Sequence, residues 1–252
     1  MIGFNTESNT SLLQQVQNKQ ESILEKLSSG KRINSAADGA AAQQIIDRLT
    51  TQVEGNRQSI SNAYDGVSLT QVAEGGLAGI NEDVNRIREL SVQSGNGLLN
   101  GADRRAIQAE VSQLQENISQ TIEQTEFAGK SLLSNNSTID FQVGANAGQK
   151  IAVATKDAAA GLSDILNVDL STAKGAEDAL AIADTANEFV GSARSDLGAT
   201  QNQFESAARN LTQADVNVSA ARSRIQDTDF AQAASENVSA GILSQASLAV
   251  QG

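Results

Sequence analysis

From Ala176 the chain places apolar residues in alternating steps of three and four: Ala179, Ala183, Ala186, Val190, Ala193, Leu197, then Phe204, Ala207, Leu211, Ala214, Val218, Ala221 and Ile225. Thr200 is the one polar residue in this register. A pattern sustained through seven heptads is the seam of one helix made to lie against other helices. At 1.5 Å per residue, about 50 residues reach roughly 75 Å, and a helix of that length cannot bury its stripe on itself. Partner helices of matching length are therefore required. Most seam positions are alanine, and the 252 residues include only six Phe, one Tyr and no Trp, so the helices should be slim and approach closely.

The first half supplies two partners. Ala73, Leu77, Ile80, Val84 and Ile87 step by four and three inside a segment that reads as helical from about Ala40 to Gln93. Ile107, Val111, Leu114, Ile118 and Thr121 repeat the stepping. Between them lies the run from Gly95 to Gly101, GNGLLNG, where glycine ends one helix and Asn or Asp caps the next. The fold class expected is mainly α: a long coiled-coil-like helical bundle. After Phe127 the period changes to two. Ile139, Phe141 and Val143 alternate with polar residues, a turn follows at Gly144 to Gly148, and Ile151 and Val153 alternate again, which predicts one β-hairpin near 138–154. Residues 156–175, rich in Ala, Gly, Ser and Asp without a firm period, read as a connector.

The two ends are weaker versions of the middle. Leu13, Val16, Ile23 and Leu27 fall on a seam that also contains Gln20. The tail beyond Gln226 carries Phe230, Ala234, Val238, Ile242, Ala246 and Ala249 and no Lys or Arg. Neither segment buries enough apolar surface alone to offset its chain entropy, so each should stay frayed until something docks on it. Weak amphipathic helices at both termini are expected to pair with each other and with those of neighbouring copies. That pattern is a polymer's.

Composition removes most alternatives. No Cys and no His excludes a disulfide framework, a Cys/His zinc site, a Cys nucleophile and all His-based acid–base catalysis. A net charge of −12 without a basic stripe argues against nucleic acid and anionic membranes. No stretch reaches 18 apolar residues, and Met1 to Val16 lacks the continuous apolar run of a cleavable secretory signal. The expectation is no enzyme activity, no cofactor, no metal, no nucleic-acid partner and no membrane insertion. The neighbours Glu82 and Asp83, and Asp227 with Asp229, then read as solvated helix faces or helix-end charges. Gly95-x-Gly97 follows a helix rather than a strand and reads as a turn rather than a phosphate loop.

At this level of detail the sequence resembles bacterial flagellin along nearly its whole length. The resemblance rests on LSSGKRINSA at 27–36 with DRLT at 47–50, NAYDGVSLTQVAEG at 62–75, RIRELSVQS at 86–94, QAE at 108–110, FQVGANAG at 141–148 and ARSRIQD at 221–227, in the family's order. It implies a short form without variable outer domains, the connector 156–175 standing in their place. Terminal helices 1–40 and 226–252 would form the inner filament core, and 41–225 the helical outer core. It further implies a subunit of the swimming filament, exported unfolded by the flagellar type III apparatus and located outside the cell in the flagellum. Partners would be itself, an export chaperone, the filament cap and the hook–filament junction proteins. The family's last helix usually runs several turns further, so truncation at Gly252 is expected.

Site residues follow from the same resemblance. Leu13, Val16, Ile23, Leu27, Val238, Ile242 and Leu243 are assigned to polymerisation in the inner core. Arg86, Leu90 and Glu110 match a patch read by a vertebrate innate receptor, and protofilament packing is the simpler use of the same residues. Ser134, Ser137, Thr138, Ser163, Ser171 and Thr172 are candidates for O-glycosylation, against a plain polar loop. A hook–filament junction protein, and a hydrolase built on a flagellin frame, are the competing functions; the second would need a catalytic insert that the 20 residues of the connector are too short to hold.

Overall fold

The computed structural model describes residues 3–251, with the side chains of residues 3–10, 12, 13 and 247–251 outside the described set. Helices α1 (Gly3–Ser29), α2 (Ala36–Ser94) and α3 (Gly101–Gln124) come first. Strands β1 (Glu126–Phe127), β2 (Lys130–Ser131), β3 (Ser137–Gln142) and β4 (Lys150–Thr155) follow, then α4 (Ala158–Gly161), α5 (Ser163–Leu166), α6 (Ala173–Gln226) and α7 (Phe230–Gln251). Contacts divide the chain into a middle unit, residues 56–212, and a terminal unit, residues 1–55 with 213–252; α2 and α6 each contribute to both.

The middle unit holds the large core. Leu77, Ile80, Val84 and Ile87 of α2, Val111 and Ile118 of α3, and Ala176, Ala179, Ala183 and Val190 of α6 are fully buried, as their three-four spacing predicts. The seams then slip by one residue. Ala208 is buried where the strict register selects Ala207, and Ile122 where it selects Thr121. A straight α-helix drifts by about 20° per heptad against a 3.5 repeat, so the buried face moves off a strict register at the far end of each seam. Register between α2 and α6 is fixed by polar pairs. Asn81, Asn187 and Asn85 pass amide hydrogen bonds around a closed ring, each 3.1 Å long. Arg88 pairs with Asp184 at 2.7 Å, and Arg194 with Glu74 at 3.3 Å.

The turn between α2 and α3 is tightly bonded. Asn100 Oδ1 accepts the Ala102 and Asp103 N–H groups, and Asp103 returns a bond to the Asn100 N–H, a capping box that satisfies donors left over at a helix start. Arg104 donates to the carbonyls of Ser94, Leu99 and Asn96 at 2.9, 2.9 and 3.0 Å, so one guanidinium closes the end of α2 and the loop together.

Strands β3 and β4 pair antiparallel, with Phe141 opposite Ile151 and Ile139 opposite Val153. The hairpin is pinned to α2 and α6. Asn62 Nδ2 donates to the Gln142 carbonyl at 2.9 Å, and the Phe141 ring stands edge-on to Phe204, centroids 5.4 Å apart at 87°. Phe204 lies on Gly66, where an added Cβ would come within 2.4 Å of the ring, so only glycine admits this packing. A second, two-residue hairpin, β1 with β2, precedes it; its turn uses positive φ at Ala128 (51°) and Gly129 (75°). The connector is also more ordered than its composition implies. Ala158, Leu162, Ile165, Val168 and Leu170 are buried, and Gln115 and Gln108 of α3 bond its backbone at Ile165, Val168 and Leu170. Two four-residue helices are too short to print a period.

In the terminal unit α1 and α7 pack against each other, with Ile23, Ala233 and Ala240 buried. The joint after α1 and the joint before α7 are bonded. Arg32 N–H donates to the Gln226 carbonyl at 2.6 Å, its guanidinium to the Ile225 carbonyl at 2.8 Å, and Thr228 N–H to the Gly30 carbonyl at 3.1 Å. Gly30 supplies the φ of 68° that ends α1. Asp229 Oδ1 accepts the Ala231 and Gln232 N–H groups and starts α7.

Candidate assembly surface

Among its described residues α7 buries small side chains and leaves large ones outside. Ala233 and Ala240 carry the buried side of α7, whereas Val238 and Ile242 are 63% exposed, Leu243 59% and Phe230 64%. Phe230, Val238 and Ile242 are eight and four residues apart, so they lie near one face of the helix. On α1, Ile23 is buried, Val16 and Leu27 are half-buried, and the Leu13 side chain lies outside the described residues. Leu24 is exposed beside this seam, a position that the spacing of Leu13, Val16, Ile23 and Leu27 does not select. α7 carries no Lys or Arg of its own whose stem could lie along its apolar face. Large exposed apolar patches mark interaction surfaces, and burying each Leu, Ile or Val contributes roughly 1.5–3 kcal/mol.

The second group sits on the middle unit. Arg86 on α2 donates through Nε and Nη2 to Glu110 Oε1 on α3, at 2.9 and 2.7 Å, and through Nη1 to Glu89 at 2.9 Å. The hydrogen bonds to Glu110, then those to Glu89, raise the Arg86 pKa above its ordinary value and keep the charge in place. Leu90, four residues on from Arg86, is 2% exposed and belongs to the core. The structure thus brings Arg86 and Glu110 together at the surface and puts Leu90 in the core. Nearby on α2, burial and then the neighbouring Glu82 carboxylate raise the Asp83 pKa.

Of the hydroxyl positions, Ser137, Thr138, Ser163 and Thr172 are exposed, and Ser134 and Ser171 half-buried. Three of the exposed hydroxyls are engaged: Ser137 Oγ lies 3.1 Å from Thr155 Oγ1, Ser163 Oγ donates to Asp164 Oδ1 at 3.4 Å, and Thr172 Oγ1 accepts the Gly175 N–H at 3.0 Å. No helix among the described residues is long and apolar enough to cross a membrane.

The helical fold agrees with the comparisons. Residues 4–138 match the bacterial flagellin N-terminal helical region, and residues 180–251 match the bacterial flagellin C-terminal helical region. The chain belongs to the bacterial flagellin family. It is 39% identical to the flagellin of Halalkalibacterium halodurans over 246 residues, 92% of this chain and 87% of that protein. The crystal structure of Bacillus cereus flagellin superposes with a TM-score of 0.56 at 24% identity, over 64% of this chain and 94% of that one. A flagellar hook-associated protein from Vibrio parahaemolyticus superposes with a TM-score of 0.64 at 14% identity, over 75% of this chain and all of that one. Both likenesses establish the fold. Membership of the flagellin family makes the chain a structural subunit of the flagellar filament.

Proposed function

We propose that this filament subunit polymerises by laying the outward face of its α1–α7 pair against the same helices of neighbouring copies. Val238, Ile242 and Leu243, with Leu13, Val16, Ile23 and Leu27, make the inner-core contacts, and Leu24 and Phe230 join them. One observation carries the reading: among the described residues of α7, Phe230, Val238, Ile242 and Leu243 are exposed while Ala233 and Ala240 are buried. In this reading residues 1–40 and 226–252 form the inner core and 41–225 the outer core, with Arg86 and Glu110 available for lateral packing or for an innate receptor. Absence of cysteine removes crosslinking from transit through a narrow type III export channel and from an extracellular filament. An export chaperone, a cap and hook–filament junction proteins are the further partners, O-glycans on the six hydroxyls the further modification, and the chain's role is structural rather than catalytic.

The test is polymerisation. Ile23→Asp and Ile242→Asp should each leave a soluble chain with the wild-type urea transition of the middle unit and no filaments by electron microscopy. Normal filaments from Ile242→Asp would refute the surface.

A further inference from the structure

The α2–α3 turn contains both Asn-Gly pairs of the chain, Asn96-Gly97 and Asn100-Gly101, in environments that set them opposite chemistry. Asn96 lies outside any helix or strand, and its Oδ1 accepts the Leu98 N–H at 3.0 Å. A side-chain carbonyl bonded to the N–H two residues ahead folds Cγ back over the intervening peptide, which brings an electrophilic carbon to the Gly97 nitrogen. Gly97 is exposed, and no atom comes within 4 Å of where its Cβ would stand. Among the described residues its N–H has no acceptor. The Leu98 N–H also polarises the side-chain carbonyl and stays on its oxygen as negative charge develops there.

Asn96 is itself bonded through its main chain, its N–H donating to the Gln93 carbonyl and its carbonyl accepting the Leu99 N–H, so the contrast with Asn100 lies in the side chain and in the helix that Asn100 caps. Asn100 Oδ1 holds the Ala102 and Asp103 N–H groups, its own N–H donates to Asp103 Oδ2, and its carbonyl accepts the Arg104 N–H. Gly101 is the first residue of a 24-residue helix. Ring closure at this pair would take Asn100 from its extended cap (φ −88°, ψ 173°) and dismantle the capping box.

We infer that Asn96 is a site of spontaneous succinimide-mediated modification and that its neighbour Asn100 is protected by the cap it forms. The Gly97 nitrogen gives its proton to solvent base and bonds to Asn96 Cγ; the Cγ–Nδ2 bond breaks and the nitrogen leaves as ammonia. Water then opens the ring, at Cγ to give aspartate or at the main-chain carbonyl to give isoaspartate, with no change in oxidation state. Either product adds a negative charge. The isoaspartate also routes the main chain through Cβ, which displaces the Asn96 carbonyl from its 3.0 Å bond to Arg104.

Ageing the folded chain in mildly alkaline heavy-oxygen water, then mapping peptides by mass and by isoaspartate-specific methylation, tests this. Label should enter at 96, and conversion at 100 should run roughly three- to thirtyfold slower, the factor that an N-cap interaction sets. Gly97→Ala should slow the reaction at 96 by about tenfold or more, since a Cβ obstructs closure. In urea, with the cap melted, the rates at 96 and 100 should converge. Equal or faster conversion at 100 in the folded chain, or labelling at neither site there while both react in urea, overturns the assignment.

Discussion

The middle and terminal units each take a stretch of α2 and of α6 and differ in where their large side chains go. In the middle unit Phe204, Leu77, Ile80, Ile87 and Leu90 are inside, and the exposed helix faces are mostly polar. In the terminal unit, alanines take the inside positions of α7 and Phe230, Val238, Ile242 and Leu243 the outside ones. The middle unit also has tertiary devices that fix a single arrangement: an asparagine ring, a capping box, an arginine closing three carbonyls, and a phenylalanine seated on a glycine. One unit is completed by its own chain. The other, on the function proposed above, is completed by copies, which would take the exposed apolar groups of α7 out of water.

Attempts to break this contrast should fall in order of size. The largest effect is expected from a charge on the outer face of α7: Ile242→Asp removes a contact worth roughly 1.5–3 kcal/mol from every subunit, repeated along the polymer, and should abolish filaments while the monomer's circular dichroism is unchanged. In the middle unit the ranking reverses, with large losses of folding and none through assembly. Phe204→Ala should destabilise the isolated chain by about 3–5 kcal/mol in urea melts, because the ring is fully buried between Gly66 and Phe141. Gly66→Ala should cost about 1–3 kcal/mol by forcing that ring aside. Gly75 has open space around its Cβ position, so Gly75→Ala should stabilise the isolated chain by up to about 1 kcal/mol.

Acid should separate the units by sign, with the smallest effect. Backbone bonds from Ser35 and Asn34 lower the Asp38 pKa in the terminal unit. A carboxylate depressed on folding contributes stability above its unfolded value, near 4, and loses it as pH falls through the folded value. Asp83 in the middle unit is raised by burial, so its contribution improves as pH falls through its folded value toward the ordinary one. Between neutral pH and about 4, amide exchange at the start of α2 should therefore respond to Asp38→Asn, and exchange around Asp83 to Asp83→Asn in the opposite sense.

Much of this was legible in the chain because long helices repeat their signal. The seam from Ala176 to Leu197 and the stepping from Ala73 to Ile87 mark buried positions one by one, and Ile139, Phe141, Ile151 and Val153 give the hairpin and its pairing. Short elements left no such trace: α4, α5 and β1–β2 are shorter than the period that would announce them, and their order comes from Gln108, Gln115 and a positive-φ turn. Arg104 gives no sequence signal at all, since its work is to collect three carbonyls that meet only in the fold. The candidate surface was half legible. Periodicity says that Val238 and Ile242 share an apolar face, but not that Ala233 and Ala240 are the buried side, and spacing cannot tell a surface Arg86 from a core Leu90.

Hydrogen exchange of the α7 backbone, measured on dilute monomer and on assembled filament, bears most directly on the claim that neighbours complete the terminal unit. α7 should exchange rapidly in the monomer and be strongly protected in the filament, with the core helices of the middle unit protected in both. Equal protection of α7 in monomer and filament would contradict that claim.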